Sequence, residues 1–100
     1  MEIRFAKKSD CKQIAELCRE HSQYEKSEFP ESFREELLFD SIFSRESILI
    51  CLVVESNTTI LGYATFTKQF STWNTEFYLY LDCLFLKQEI RGKGIGKQMM

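Results

Sequence analysis

Charge of one sign is missing from this sequence. Thirteen basic and fifteen acidic side chains leave a net −2 and a pI of about 5.4, so no basic surface points to nucleic acid. A slight acidic balance tolerates a cationic ligand. Long apolar runs are missing too. The longest, residues 48–54 (ILICLVV), is far too short to span a bilayer. The opening Met1-Glu2-Ile3-Arg4-Phe5-Ala6-Lys7-Lys8 has no long apolar stretch behind its charges, so no signal peptide is expected. None of the four cysteines (Cys11, Cys18, Cys51, Cys83) forms a C-x-x-C pair, and the single histidine, His21, does not complete a zinc site at usual spacing. No metal is therefore expected. All four thiols fall inside apolar patterns and read as small core residues in a reducing compartment, the cytosol. His21 reads as a surface helix residue. Internal repeats, low-complexity segments and linkers are all absent.

What the chain does have is apolar mass. Hydrophobic residues make up 44%, and nine of the fourteen aromatics are phenylalanine, enough for one modest core and unlike a disordered chain. Ile3 and Phe5 alternate with charged residues, which predicts a short first strand. Ser9 and Asp10 offer a helix start, the hydroxyl as cap and the carboxylate at the positive helix end. Cys11, Ile14, Ala15, Leu17 and Cys18 then recur at helical spacing, so the helix is expected to run to about Tyr24. After Pro30, Ser32 and Glu35 form a capping box, and Phe33, Leu37 and Leu38 the apolar side of a second helix. Residues 48–54 are apolar on both faces, as in a strand covered on both sides. Ser56-Asn57-Thr58 supplies a turn, residues 60–68 a third strand with Gly62 as a bulge or close approach, and 70–75 a loop carrying Trp73. Residues 77–86 form a fourth strand rich in aromatics and leucine, and the Phe-rich positions, with Tyr24, Tyr78 and Tyr80, read as packing residues. A glycine turn over 91–96 leads into a helix starting at 97–100. The order strand, two helices, three strands, helix predicts an α/β (α+β) domain with a mainly antiparallel meander.

The sharpest signal is Arg91-Gly92-Lys93-Gly94-Ile95-Gly96. Alternating glycines between a strand and a helix let the backbone turn tightly and approach a ligand without Cβ atoms in the way. N–H groups converge at the helix N-terminus, where the dipole favours negative charge, and Arg91 and Lys93 add formal positive charge. This is a place for a phosphate or pyrophosphate. A P-loop would need Gly-Lys followed by Ser or Thr, and G-x-G-x-x-G from Gly92 would need glycine at 97, where Lys97 stands. Neither fits.

Arg91, Gly94 and Gly96 match the R-x-x-G-x-G/A signature of the GNAT N-acetyltransferase superfamily, which the chain resembles, and residues 79–86 resemble that family's central strand. Tyr24-Glu25 at the end of the first helix, Trp73 before the fourth strand and Tyr80-Leu81-Asp82 within it are similar to the spermidine/spermine and thialysine branch. The resemblance implies the N-terminal part of the GNAT fold and direct transfer of an acetyl group from acetyl-CoA to a primary amine, without a metal. It implies that amides of Arg91, Gly92, Lys93, Gly94, Ile95 and Gly96 hold the CoA pyrophosphate. The main chain of Leu84, Phe85 and Leu86 would pair with the pantetheine arm. Asp82 matches a glutamate of the branch that helps deprotonate the amine, directly or through water. Glu25, with Trp73, matches the substrate side. The family's general-acid tyrosine has no counterpart in residues 1–100.

The whole chain is expected to be one domain, 1–100. The helix opened at 97–100 has no C-cap, so the domain is expected to be truncated after its pyrophosphate motif. Two other readings stay open: a non-catalytic CoA- or anion-binding module, and an interaction fragment that pairs its last strand with another copy as a homodimer or domain swap.

Overall fold

The computed structural model describes residues 1–26, 28, 30, 33–44 and 48–99. Four antiparallel strands in the order β1-β2-β3-β4 form one sheet: β1 Glu2–Phe5, β2 Leu49–Ser56, β3 Thr59–Ser71 and β4 Glu76–Leu86. Helices α1 (Cys11–Tyr24) and α2 (Glu35–Phe43) lie between β1 and β2 in the chain, and the short α3 (Ile95–Met99) follows β4. One-turn 3₁₀ segments precede α1 (Lys8–Asp10) and α3 (Gln88–Ile90). The expected order is the observed one. The Ser32 half of the expected capping box lies outside the described residues.

Two apolar clusters sit on opposite faces of the sheet. Ile14 and Leu17 of α1 pack with Cys51, Val53, Ile60, Tyr63 and Phe85, with Leu38 and Ile42 of α2 against them. Val54, Ala64 and Phe66 pack with Ile90, Ile95 and Met99 on the other side. β2 serves both clusters, which is why its sequence is apolar without alternation.

The β2–β3 hairpin closes on Asn57 and Thr58, both at positive φ (50° and 66°), as a two-residue turn matched to strand twist requires. Gln13 of α1 clasps it, its amide nitrogen donating to Thr58 O and its amide oxygen accepting from Ile60 N–H (3.2 and 2.8 Å). A β-branched residue is poorly suited to the left-handed region. Thr58→Gly is therefore expected to stabilise the fold by about 0.5–1 kcal/mol after the entropy loss of glycine, read as a higher urea midpoint at unchanged slope. A lower midpoint would refute the strain.

Several expectations need correction. Neither Ser9 nor Asp10 caps α1 with its side chain. The Asp10 carboxylate instead turns back to accept the Lys7 N–H (2.7 Å) and both terminal nitrogens of Arg4 (2.8 and 3.0 Å). β3 and β4 extend further than predicted, so the loop read at 70–75 shrinks to a turn over 72–75. Phe5, Phe70, Phe77, Tyr24, Tyr78 and Tyr80 are exposed rather than part of the core; Phe70 and Phe77 meet edge to face with centroids 5.0 Å apart, and Tyr24 lies against Phe85 and Arg91. Only Cys51 is fully buried; Cys11, Cys18 and Cys83 are half-buried.

Candidate active site

α1 turns Cys18, His21, Ser22 and Glu25 to one side, the i, i+3, i+4, i+7 face that follows from 3.6 residues per turn. Tyr63 and Thr65, two apart on β3, point to the same side. On β4, Thr65 pairs with Cys83 but Phe66 pairs with Leu81, leaving Asp82 unpaired in a β-bulge. Strict alternation would send Asp82 and Cys83 to opposite faces. The bulge re-aims them, and both line one pocket of about 420 Å³ together with the α1 residues, Tyr63, Thr65 and Glu28.

The pocket carries three carboxylates, Glu25, Glu28 and Asp82, and neither lysine nor arginine among its described lining residues. The Thr65 hydroxyl donates to the Asp82 carboxylate at 3.3 Å. His21 is half-buried, its Nδ1 2.8 Å from the Tyr63 hydroxyl and its Nε2 3.1 Å from the Glu25 carboxylate. Its ring stacks on Phe85 with centroids 5.1 Å apart. The expectation of a surface histidine is corrected: Tyr63, 42 residues along the chain, draws it in. Burial raises the thiol of Cys18 and, with the nearby Asp82, pushes that of Cys83 up to about 11. Burial pushes Cys51 up to about 12. These three cysteines are therefore neutral, non-nucleophilic thiols at neutral pH.

The glycine turn lies just past the end of β4. Gly92 and Gly94 have φ of 79° and 76°, and a Cβ on either would meet nothing within 4 Å. Packing does not demand these glycines; the backbone conformation does, and the space beside them is open. Buried Ile90 and Ile95 anchor the turn on both sides. α3 begins at Ile95, inside the motif, rather than at residue 97. Arg91 is not turned toward that space. Its Nε donates to Leu86 O at 2.7 Å, and its guanidinium lies 4.1 Å from the Tyr24 ring centroid, so the side chain clasps the turn to β4 and α1.

β4 is the sheet's edge among the described strands. Lys87 N–H bonds Leu61 O across to β3, so by alternation the polar groups of Leu84 and Leu86 face the open edge while Phe85 faces the ladder opposite Tyr63. Leu86 O is already engaged by Arg91. The structure thus brings Glu25 and Asp82 into one pocket, and Leu84, Leu86 and the turn over 91–96 to the neighbouring end of β4. It does not bring in Trp73, which stands 97% exposed at the hairpin tip, roughly 20 Å along β3 from Thr65 at 3.3 Å per residue. His21, Tyr63 and Thr65 belong to the pocket and were missed. The usable signal was the polar residues His21, Ser22 and Glu25 falling on the α1 face continuous with Cys18.

Comparison with known proteins shows the family. The acetyltransferase (GNAT) family model matches residues 8–100. The thialysine N-epsilon-acetyltransferase of Bos taurus is 33% identical over 106 residues, spanning 98% of this chain but 62% of its own length. An integron cassette protein from the mobile metagenome of V. cholerae superposes with a TM-score of 0.70 at 27% identity, over 99% of this chain and 62% of its own. A predicted acetyltransferase from Clostridium acetobutylicum, solved with acetyl-CoA, gives 0.76 at 19% identity, over 98% and 67%, a likeness of fold alone. This chain therefore spans about three-fifths of the curated relatives it matches. With the family model covering almost all of it and the glycine turn set at the end of an edge strand, the chain belongs to the acetyltransferase (GNAT) family.

Proposed function

We propose that this chain binds acetyl-CoA along β4 and the 91–96 turn and presents a small cationic amine to it for direct N-acetylation. Acetyltransferases of this family use acetyl-CoA. The observation that carries the reading is the bulge, which aims the Asp82 carboxylate into a pocket also lined by Glu25 and Glu28, beside the open edge of β4. Three carboxylates with neither lysine nor arginine among the described lining residues favour an ammonium substrate. The name of the thialysine-acetylating relatives supports a thialysine-like or polyamine-like amine.

In this reading the turn's amides from Arg91 to Gly96 hold the pyrophosphate, with Lys93 adding charge. Leu84 and Leu86 offer main-chain groups to the pantetheine arm, and Phe85 supports the strand from inside. Glu25 holds the ammonium end of the substrate. Asp82 removes a proton from the attacking nitrogen, directly or through water. The neutral amine then adds to the thioester carbonyl, the C–S bond breaks as the thiolate leaves, and the proton shed by the new amide nitrogen passes through water to that thiolate. The rate gain comes from holding amine and thioester together and away from bulk water. Trp73 takes part only where a second copy or another segment brings it near. The exposed apolar side chains of β4, Phe77 through Tyr80, support self-association as a dimer, which light scattering tests; a strict monomer would remove this part. The free thiols support a reducing compartment, the cytosol.

Calorimetric titration with CoA, beside a Gly94→Trp variant, tests the donor site. Wild type is expected to bind, and the variant, with an indole filling the open side of the turn, to lose at least about tenfold in affinity, or ~1.4 kcal/mol. A folded wild type that does not bind CoA, or a folded variant that binds equally well, would sink the assignment of the turn.

A further inference from the structure

A turn that receives a pyrophosphate on its amides binds best when those amides converge before the ligand arrives, because ordering left to the binding step is subtracted from affinity. Glycine makes that ordering costly, having the most backbone freedom to lose, and Gly92 and Gly94 both stand at positive φ. The backbone bonds at the two ends of the segment are long: Arg91 N–H to Gln88 O and Gln98 N–H to Gly94 O are each 3.3 Å. The short polar tie comes from a side chain. Arg91 Nε–H donates to Leu86 O at 2.7 Å, joining the last outward carbonyl of β4 to the first residue of the turn. That bond fixes the edge proposed for the pantetheine arm relative to the turn proposed for the pyrophosphate.

A long arginine side chain gives up rotamer freedom to make such a bond, so the bond is dependable only where the guanidinium is held. Two rings hold it. The Arg91 guanidinium lies 4.1 Å from the Tyr24 ring centroid and 5.4 Å from that of Phe85, both within reach of a cation–π contact. The two rings lean together with centroids 6.1 Å apart. Phe85 is built into the core, whereas Tyr24 is 61% exposed and stands outside both apolar clusters. Its ring covers the guanidinium instead. Glu25, the next residue, lines the amine pocket, so neighbouring positions at the end of α1 face the two halves of the site.

We propose that Tyr24 is a positioning residue for the acetyl donor: its ring seats the Arg91 guanidinium, Arg91 ties the turn to β4, and the turn presents its amides. Arg91 then serves by its shape and its Nε–H rather than as a charged ligand of the phosphates. The role of Tyr24 rests on the donor-site reading above.

The test is calorimetric titration with CoA, with a urea midpoint measured for each variant. Tyr24→Leu is expected to weaken CoA binding by about three- to tenfold, the range of a partly desolvated cation–π contact. Tyr24→Phe keeps the ring and should stay within about twofold of wild type. The urea midpoints of both should match wild type, as for an exposed position. Arg91→Lys keeps the charge but loses the planar group and the Nε–H. It should weaken binding at least as much as Tyr24→Leu, and adding Tyr24→Leu to it should cost nothing further. Wild-type affinity in Tyr24→Leu, an equal loss in Tyr24→Phe, full affinity in Arg91→Lys, or losses that multiply in the double variant would each overturn the role of Tyr24 and leave the donor site standing. So would a loss of affinity that merely follows a fallen urea midpoint. A folded wild type that does not bind CoA overturns the donor-site reading and this inference with it.

Discussion

Asp10→Ala is expected to destabilise the fold by about 3 kcal/mol, the loss typical when one partner of a buried ion pair is removed. Asp10 is 4% exposed and binds Arg4 through both oxygens while also accepting the Lys7 N–H. Alanine would leave Arg4 largely buried without its two-pronged partner, keeping Glu55 at 3.0 Å from its Nε, the more exposed Glu2 at 3.8 Å and the Phe5 carbonyl, and would release the 3₁₀ turn that leads into α1. Replacing both partners, as in Arg4→Met with Asp10→Leu, should recover most of the loss, since the penalty lies in the orphaned charge. The pH dependence has a defined sign. The Arg4 guanidinium, aided by the Lys7 N–H, holds the Asp10 carboxyl below its ordinary value against the opposing effect of burial. A depressed folded-state pKa gives stability that is present above the unfolded value, near 3.9, and lost as pH falls through the folded one. Urea midpoints of the wild type should therefore hold from pH 7 to 5 and drop below about pH 4, more steeply than those of Asp10→Ala. A variant within about 0.5 kcal/mol of wild type at pH 7, the range of an ordinary surface substitution, would show that the clamp is not holding this corner.

The second large effect is expected at Gly62, where Gly62→Val should cost about 3 kcal/mol and weaken CoA binding with it. A Cβ at this position would lie 2.6 Å from Leu86 Cδ2 and 3.0 Å from the Phe85 carbonyl oxygen. The leucine tip can rotate away; the carbonyl cannot move without shifting β4. Gly62→Ala meets only that first contact shell and should cost about 1 kcal/mol, whereas the added methyls of valine push directly on the strand end proposed to hold the donor. Gly62 also faces Val54 where the β2–β3 register slips by one residue at Leu61, so strain at this point is felt on both sides. A valine variant with wild-type stability and CoA affinity would show that β4 yields more easily than its contacts suggest.

Much of the framework was legible because it is local. Helix α1, the two-faced strand β2, the Asn57-Thr58 turn, the close approach at Gly62 and the glycine turn each follow from spacing within a dozen residues. What was not legible is relational. His21 becomes a pocket residue only when Tyr63 arrives from another strand. Asp10 abandons the helix end for Arg4 because a guanidinium offers two charge-assisted bonds where the helix offers a weaker one. Phe70, Phe77, Tyr78 and Tyr80 carry strong apolar signals, but whether they are covered depends on what else packs there. Arg91 carries the charge expected of a phosphate ligand and spends its side chain on Leu86 O and Tyr24 instead. The bulge at Asp82 leaves no mark in Leu81-Asp82-Cys83, since register is a property of two strands together.

That bulge separates two demands on one strand. Leu81 on one side of it and Leu84 and Leu86 on the other pack against the same apolar cluster, so β4 stays in phase across the interruption and residue 82 is supernumerary to the packing. Its side chain holds no place in the ladder and is tied to the scaffold through the buried Thr65 hydroxyl, which donates to it at 3.3 Å. An exchange at position 82 for a residue that still accepts from Thr65, such as glutamate or asparagine, is therefore expected to alter the reach or charge presented to the pocket while leaving the strand pairing as it is.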